Sequence, residues 1–203
     1  GGKSPAVLAS DANIRVAARR IANAKFSNCG QICVAPDYVL VPTALKDSLI
    51  EELMIATKKF YGEDPENTDG YGKIINEKQW QRLVGYLQDG KVVYGGKSNL
   101  ATLFIEPTIL TDVALDSKIM QDEIFGPILP ILTYNTNEEA LEIIRRNPNP
   151  LAFYVFTSNN TTEQYWLNNV PSGGACVNNA IFHLTNHALP FGGRGFSGMG
   201  GYH

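Results

Sequence analysis

Two cysteines stand four residues apart in the run Asn28-Cys29-Gly30-Gln31-Ile32-Cys33-Val34-Ala35-Pro36-Asp37, where a helical pattern gives way to an apolar strand pattern. A cysteine attacks as its thiolate, so a catalytic thiol needs solvent access and donors for the charge that develops. A tight connection between helix and strand can offer both. Cys33 lies beyond the Gly30-Gln31 turn, on the connection itself, and is the candidate nucleophile. Cys29 lies nearer the helix end and reads as a packed or peripheral thiol. Cys176 falls inside an apolar run and belongs to the core. The Cys29–Cys33 spacing is not that of a redox Cys-x-x-Cys pair. His183 and His187 have the spacing of helical metal ligands, but Pro190 and the glycines after it argue against a helix, so no metal site is expected.

Composition narrows the setting for that thiol. With 203 residues, 44% of them hydrophobic, the chain can bury a substantial core, and one domain over 1–203 is expected. A net charge of −3 and a pI near 5.6 give no electrostatic footprint for nucleic acid. The longest apolar stretch, Ile124 to Leu132, is broken by Gly126, Pro127 and Pro130, well short of the roughly 20 residues of a membrane span. Three cysteines do not make a disulfide framework, and a reducing, cytoplasmic setting is expected. The opening Gly1-Gly2-Lys3-Ser4-Pro5 has neither an initiator Met nor a basic-then-apolar leader, so the chain reads as an excised piece or a processed product.

Helical and strand patterns alternate, and these elements must position the thiol. Asp11 is expected to cap a helix with Ile14, Ala17, Ala18 and Ile21 inward and Arg15, Arg19 and Arg20 outward. Asn28 then suits a helix C-cap, and Tyr38-Val39-Leu40-Val41 is a buried strand. Thr43 opens a helix with Leu45, Leu49, Leu53, Ala56 and Phe60 inward, and Asn76 opens another with Trp80, Leu83, Val84 and Leu87 inward. Val92-Val93-Tyr94 is a short strand stopped by Gly95-Gly96. Phe104 to Leu110 is strand-like, with Pro107 placing it at an edge or a strand end. Ile128 to Tyr134 is a further strand. The helix from Asn137 carries acids first and Arg145-Arg146 last, matching the helix dipole, and Pro148 stops it. Leu151 to Phe156 has the continuous apolar character of a central parallel strand. A helix near Thr162–Val170 and a strand at Ala175–Asn178 follow. This order predicts an α/β fold, a three-layer domain with a mostly parallel sheet flanked by helices.

Four ordered segments carry a family resemblance. Gly30-Gln31-Ile32-Cys33-Val34-Ala35-Pro36-Asp37-Tyr38 resembles the nucleophile region of aldehyde dehydrogenases, closest to the class 3 type. Asp122-Glu123-Ile124-Phe125-Gly126-Pro127 resembles a second segment of that family, with Asp122 where glutamate is more usual. Leu189-Pro190-Phe191-Gly192-Gly193, Gly195, Ser197-Gly198-Met199-Gly200 and Tyr202-His203 are similar to its closing motif. Gly1-Gly2-Lys3 is similar to the end of the segment bearing its general-base glutamate.

The resemblance implies that the Cys33 thiolate attacks an aldehyde to form a thiohemiacetal. Hydride transfer to NAD or NADP leaves a thioester, which water hydrolyses to the acid. The Cys33 backbone N–H would hold the developing oxyanion; the family's second donor, an asparagine amide, lies upstream. Glu123 is similar to the residue that binds the nicotinamide ribose, and Phe125 to one that packs near the nicotinamide. Gly193-Arg194-Gly195-Phe196-Ser197-Gly198 matches a dinucleotide fingerprint only literally, since it follows no strand and opens no helix. It reads as a loop near the substrate mouth, with His183, His187 and Phe196 as candidate pocket residues. The general-base glutamate, the cofactor-binding domain and the homodimer-forming strand would all belong to the rest of the protein. The chain would then be a catalytic domain, inactive alone. Two other readings use the same residues: a non-enzymatic structural or subunit-contact module of this fold, and a cysteine hydrolase pairing Cys33 with His183 or His187.

Overall fold

The computed structural model of the chain describes residues 2–180. Pro5–Leu8, a fully buried strand, is β1; it is an element the hydropathy pattern above leaves unassigned. Helix α1 spans Ile14–Phe26, with Ala17, Ala18 and Ile21 buried as its stripe requires. Its N-cap is Asn13, whose side chain accepts the Val16 N–H at 3.1 Å, and not Asp11. The Asp11 carboxylate instead accepts the Thr157 hydroxyl at 2.8 Å, so it closes a loop between strands rather than a helix end.

Strand β2, Tyr38–Pro42, leads through one 3-10 turn at Thr43–Leu45 into α2, Lys46–Tyr61. The buried row of α2 runs Leu49, Leu53, Thr57 and Tyr61, each four residues on, and so drifts round the helix. Phe60 therefore ends 42% exposed, and Tyr61 takes the inward place against Tyr71, ring centroids 5.1 Å apart. Asn76 caps α3, Glu77–Gly85, as expected. Strand β3, Lys91–Tyr94, stops at Gly95 and Gly96, whose φ angles of 77° and 97° suit glycine. The expected strand from Phe104 to Leu110 divides at Glu106-Pro107. Strand β4 (Ser98–Asn99) pairs with β5 (Phe104–Ile105) as a small hairpin, while β6, Thr108–Thr111, joins the main sheet. The remaining elements are α4 (Lys118–Gln121), β7 (Ile128–Tyr134), α5 (Asn137–Arg145), β8 (Ala152–Phe156), α6 (Asn160–Asn169) and β9 (Gly174–Val177).

The seven-stranded sheet has the order β3-β6-β7-β2-β1-β8-β9, and only the β3–β6 pair is antiparallel. Four of its five inner strands, β7, β2, β1 and β8, are apolar and almost wholly buried, as strands covered on both faces must be. Strands β1, β2 and β7 are adjacent and parallel, so their amino ends share one edge. The residues before β1, the two-thiol run before β2 and Asp122–Pro127 before β7 therefore converge. Topology alone brings three segments distant in sequence to one place.

An ion pair ties that edge together. Lys3 and Asp37, 3% and 4% exposed, meet Nζ to Oδ1. Lys3 Nζ also donates to Ile119 O at 2.9 Å and Asp122 O at 2.8 Å, and Asp37 Oδ2 accepts the Ile124 N–H at 2.9 Å. Removing one member strands a buried charge. Lys3→Met should thus destabilise the fold by about 3–5 kcal/mol in chemical denaturation. Arg15→Ala, which breaks the solvated Arg15–Glu52 contact at 3.8 Å, should change stability by about 0–1 kcal/mol.

Candidate functional site

Helix α1 ends with Ser27 as its C-cap, and Asn28 lies beyond the cap rather than forming it. Asn28, Cys29 and Gly30 have φ of 50°, 58° and 75°, three successive left-handed residues that swing the chain off the helix axis. For Cys29 that conformation costs on the order of 1–2 kcal/mol and persists because its surroundings impose it. Asn28 Nδ2 donates to Gln31 O at 3.1 Å. Gln31 Nε2 donates to Asn28 O at 3.1 Å and to Lys73 O at 2.9 Å, and its Oε1 accepts the Ile75 N–H at 3.0 Å. The Gln31 amide thus pins the turn to the segment before α3. Gly30 admits no side chain, since a Cβ there would sit 2.2 Å from Gly126 O.

The two thiols of this run have opposite environments. Cys29 is fully buried, its thiol donates to the Tyr71 hydroxyl at 3.4 Å, and Tyr71 donates to Ile105 O at 2.6 Å. Burial pushes the Cys29 thiol up to about 11, which leaves it neutral and unreactive. Cys33 is exposed. It occupies the second position of a turn closed by Ala35 N–H donating to Ile32 O at 3.1 Å. Among the described residues no acceptor meets the Cys33 backbone N–H. Behind the turn, the Tyr154 hydroxyl donates to Val34 O at 2.6 Å. Cys176 is buried in β9, as expected.

Across the Gly30–Gly126 contact lies the second loop. Glu123 is half-buried; burial raises its carboxyl, and the Gly2 N–H, donating to Oε2 at 3.2 Å, opposes that rise. Phe125 is 38% exposed with φ 50°, another left-handed residue without glycine's freedom. The loop borders a cavity of about 270 Å³ lined by Gly2, Lys3, Glu123, Arg146 and Asn147, among others. A carboxylate at the mouth of a cleft can accept hydroxyl donors, and an exposed ring beside it can cover a flat heterocycle. Glu123 and Phe125 offer these two features side by side. The connection after β1, Ala9-Ser10-Asp11-Ala12-Asn13, has no glycine and so offers no glycine-rich phosphate loop. Also among the described residues, no three His, Cys, Asp or Glu are grouped to hold a metal ion, and no helix is long and apolar enough to cross a membrane.

The structure brings Cys33, Glu123 and Phe125 to one edge through the loops that carry them. The other candidates, His183, His187 and Phe196, lie outside the described residues. Several supports carry no role in the sequence reading: Lys3, Asp37, Gln31, Arg82 and Tyr154. A charged residue directly before a wholly apolar strand, as at Asp37, is the one signal that could have marked them. Lys25, at the end of α1, is fully buried and donates to Asp37 O at 3.3 Å; burial lowers it to about 8.

Known proteins identify the family of this chain. A model of the aldehyde dehydrogenase family matches residues 1–203. The chain is 45% identical over 203 residues to the dimeric NADP-preferring aldehyde dehydrogenase of Canis lupus familiaris, covering 100% of this chain and 45% of that protein. Its structure superposes on the substrate-bound state of Staphylococcus aureus AldH with a TM-score of 0.97 at 46% identity, covering 100% of this chain and 45% of the other. An aldehyde dehydrogenase of Mycobacterium tuberculosis complexed with NAD+ gives 0.87 at 30% identity, covering 99% and 43%. The chain spans less than half the length of each of these proteins.

Two outcomes follow from the buried groups. Alkylation of the native chain near neutral pH should modify Cys33 and leave Cys29 unlabelled until unfolding; peptide mapping by mass spectrometry reads this directly. Lys25 holds its proton less tightly folded than unfolded, where lysine titrates near 10.5. Between about 8 and 10.5 the unfolded state binds more protons, so this lysine makes stability rise with pH across that window. Denaturation at several pH values should show Lys25→Met lacking that contribution.

Proposed function

The chain belongs to the aldehyde dehydrogenase family, and on that premise we propose that it is the nucleophile-bearing catalytic domain of an enzyme oxidising an aldehyde to a carboxylic acid with NAD or NADP. The observation that carries this reading is the pairing of an exposed Cys33 with the Glu123–Phe125 loop through the Gly30–Gly126 contact. The Cys33 thiolate attacks the carbonyl carbon, a C–S bond forms, and the oxygen becomes an oxyanion within reach of the Cys33 N–H. When bound, the nicotinamide supplies the acceptor for the hydride that this thiohemiacetal carbon gives up on becoming a thioester. Water then adds to the thioester and expels the Cys33 thiolate, which restores the enzyme. Glu123 would hold the ribose hydroxyls, and Phe125 would pack near the nicotinamide.

The base that activates water and the adenine-binding half belong to the rest of the protein, so residues 1–203 alone are inactive in this reading. We propose further that the full enzyme is a cytoplasmic homodimer in which this domain works against its own upstream cofactor-binding domain. The relative in Canis lupus familiaris, named dimeric and NADP-preferring, supports the dimer. His183, His187 and Phe196 are assigned to the substrate pocket.

In the full-length protein, Cys33→Ala should reduce aldehyde oxidation by about 10³-fold or more, while Cys29→Ala keeps most of it. Activity that survives Cys33→Ala would contradict the assignment, and inactivity of the unaltered protein would favour the non-enzymatic module. Glu123→Gln should slow the hydride step, seen as a larger kinetic isotope effect with deuterated aldehyde, with little change at the adenine end. An unchanged rate would remove the ribose contact.

A further inference from the structure

We infer that Arg82 is a positioning residue that holds the Glu123–Phe125 loop in its cofactor-facing conformation. This inference rests on the functional reading above. Residues 122–127 form no helix or strand, so no ladder of backbone bonds sustains them. Phe125 nevertheless keeps a left-handed φ of 50° with its ring 38% exposed, and burial of that ring is therefore not what imposes the conformation. The constraint comes from both sides of Ile124. Asp37 accepts the Ile124 N–H at 2.9 Å and so orients the peptide before it. Arg82 Nη2 donates to Ile124 O at 2.7 Å, which orients the peptide between Ile124 and Phe125. Rotation of that peptide plane is the φ of Phe125. Arg82 Nη1 also reaches Glu123 O at 3.4 Å, so one guanidinium spans two consecutive carbonyls.

Arg82 is itself fixed before it reaches the loop. Its Nε donates to Gln79 Oε1 at 2.7 Å and Nη1 to the Tyr86 hydroxyl at 2.7 Å, with the guanidinium carbon 5.3 Å from the Tyr86 ring centre. Tyr86 in turn donates to Asp122 Oδ2 at 2.8 Å, gripping the start of the same loop. Among the described residues Arg82 has no carboxylate within ion-pair distance; its charge is directed to the loop carbonyls. One position along α3, Leu83 packs so tightly under Gly126 that a Cβ there would lie 2.3 Å from its side chain. Helix α3 supports the loop at its centre and end, and Tyr86, its C-cap, at its start. A planar fork can bridge adjacent carbonyls in a way a lysine ammonium cannot.

The test uses the full-length protein with Arg82→Gln and, separately, Arg82→Lys. Three quantities are read: affinity for NAD+ and NADP+ by calorimetry, amide hydrogen exchange at 122–126 without cofactor, and the alkylation rate of Cys33. Arg82→Gln should weaken the binding of the preferred cofactor by about tenfold and speed exchange at 122–126, with Cys33 alkylation changed by less than about twofold. Arg82→Lys should fall between it and the unaltered protein; if the Gln variant does not fold, the Lys variant carries the test. Unchanged exchange or unchanged affinity in a folded variant would overturn the inference. So would a parallel fall in Cys33 alkylation, which marks a general prop of the fold. An unaltered protein that binds neither cofactor would overturn the functional reading itself, and this inference with it.

Discussion

The buried ion pair of Lys3 and Asp37 is the constraint on which this edge of the molecule depends. Taking an ammonium and a carboxylate out of water is expensive, and their attraction offsets it only when every remaining donor and acceptor is met. Here they are met. Lys3 serves Asp37, Ile119 O and Asp122 O, while Asp37 takes the Ile124 N–H on its other oxygen. The Asp37 backbone joins in, its N–H donating to Ser4 O at 2.8 Å and its carbonyl accepting from Lys25. A low dielectric makes such a network unforgiving of misplacement, so it fixes three chain segments relative to one another. Those are the amino ends of β1 and β2 and the loop that feeds β7.

This arrangement departs from the usual economy of parallel α/β sheets, in which ligands bind beyond the carboxyl ends of the strands. The candidate site lies at the amino ends. There the incoming helices present their negative ends, and the C-terminus of α1 gives a thiolate no help. The left-handed run at Asn28–Gly30 answers this by turning the chain away from the helix axis before Cys33 is reached. Left-handed conformation recurs at Phe125 across the Gly30–Gly126 contact. Strain on the two facing loops, held by buried polar groups beneath them, is a pattern of preorganisation.

The sheet was readable from sequence wherever burial imposes a continuous apolar run, as at Tyr38–Val41, Ile128–Tyr134 and Leu151–Phe156. Strand β1 escaped because Ala6-Val7-Leu8 is too short an apolar stretch to mark a strand, and only pairing on both sides makes it one. Asp11 lost the cap to Asn13 because a tertiary bond to Thr157 outbid the local one. Phe60 lost the core because the buried row follows a drifting four-residue step. At the site, the contrast between Cys29 and Cys33 was foreseeable from a turn between them, whereas its cause, the Tyr71 hydroxyl from another segment, was not. Arg82 was invisible for the same reason: its role exists only once α3 is laid against a loop some forty residues later.

The central claim is that Cys33, and not Cys29, forms the covalent bond with substrate. Its most direct test is acid quenching of the full-length enzyme during turnover, followed by peptide mapping of the trapped acyl group. An acyl adduct is expected on the peptide at Cys33, lost on treatment with hydroxylamine. An adduct on Cys29, or turnover without any acylated cysteine, would contradict it.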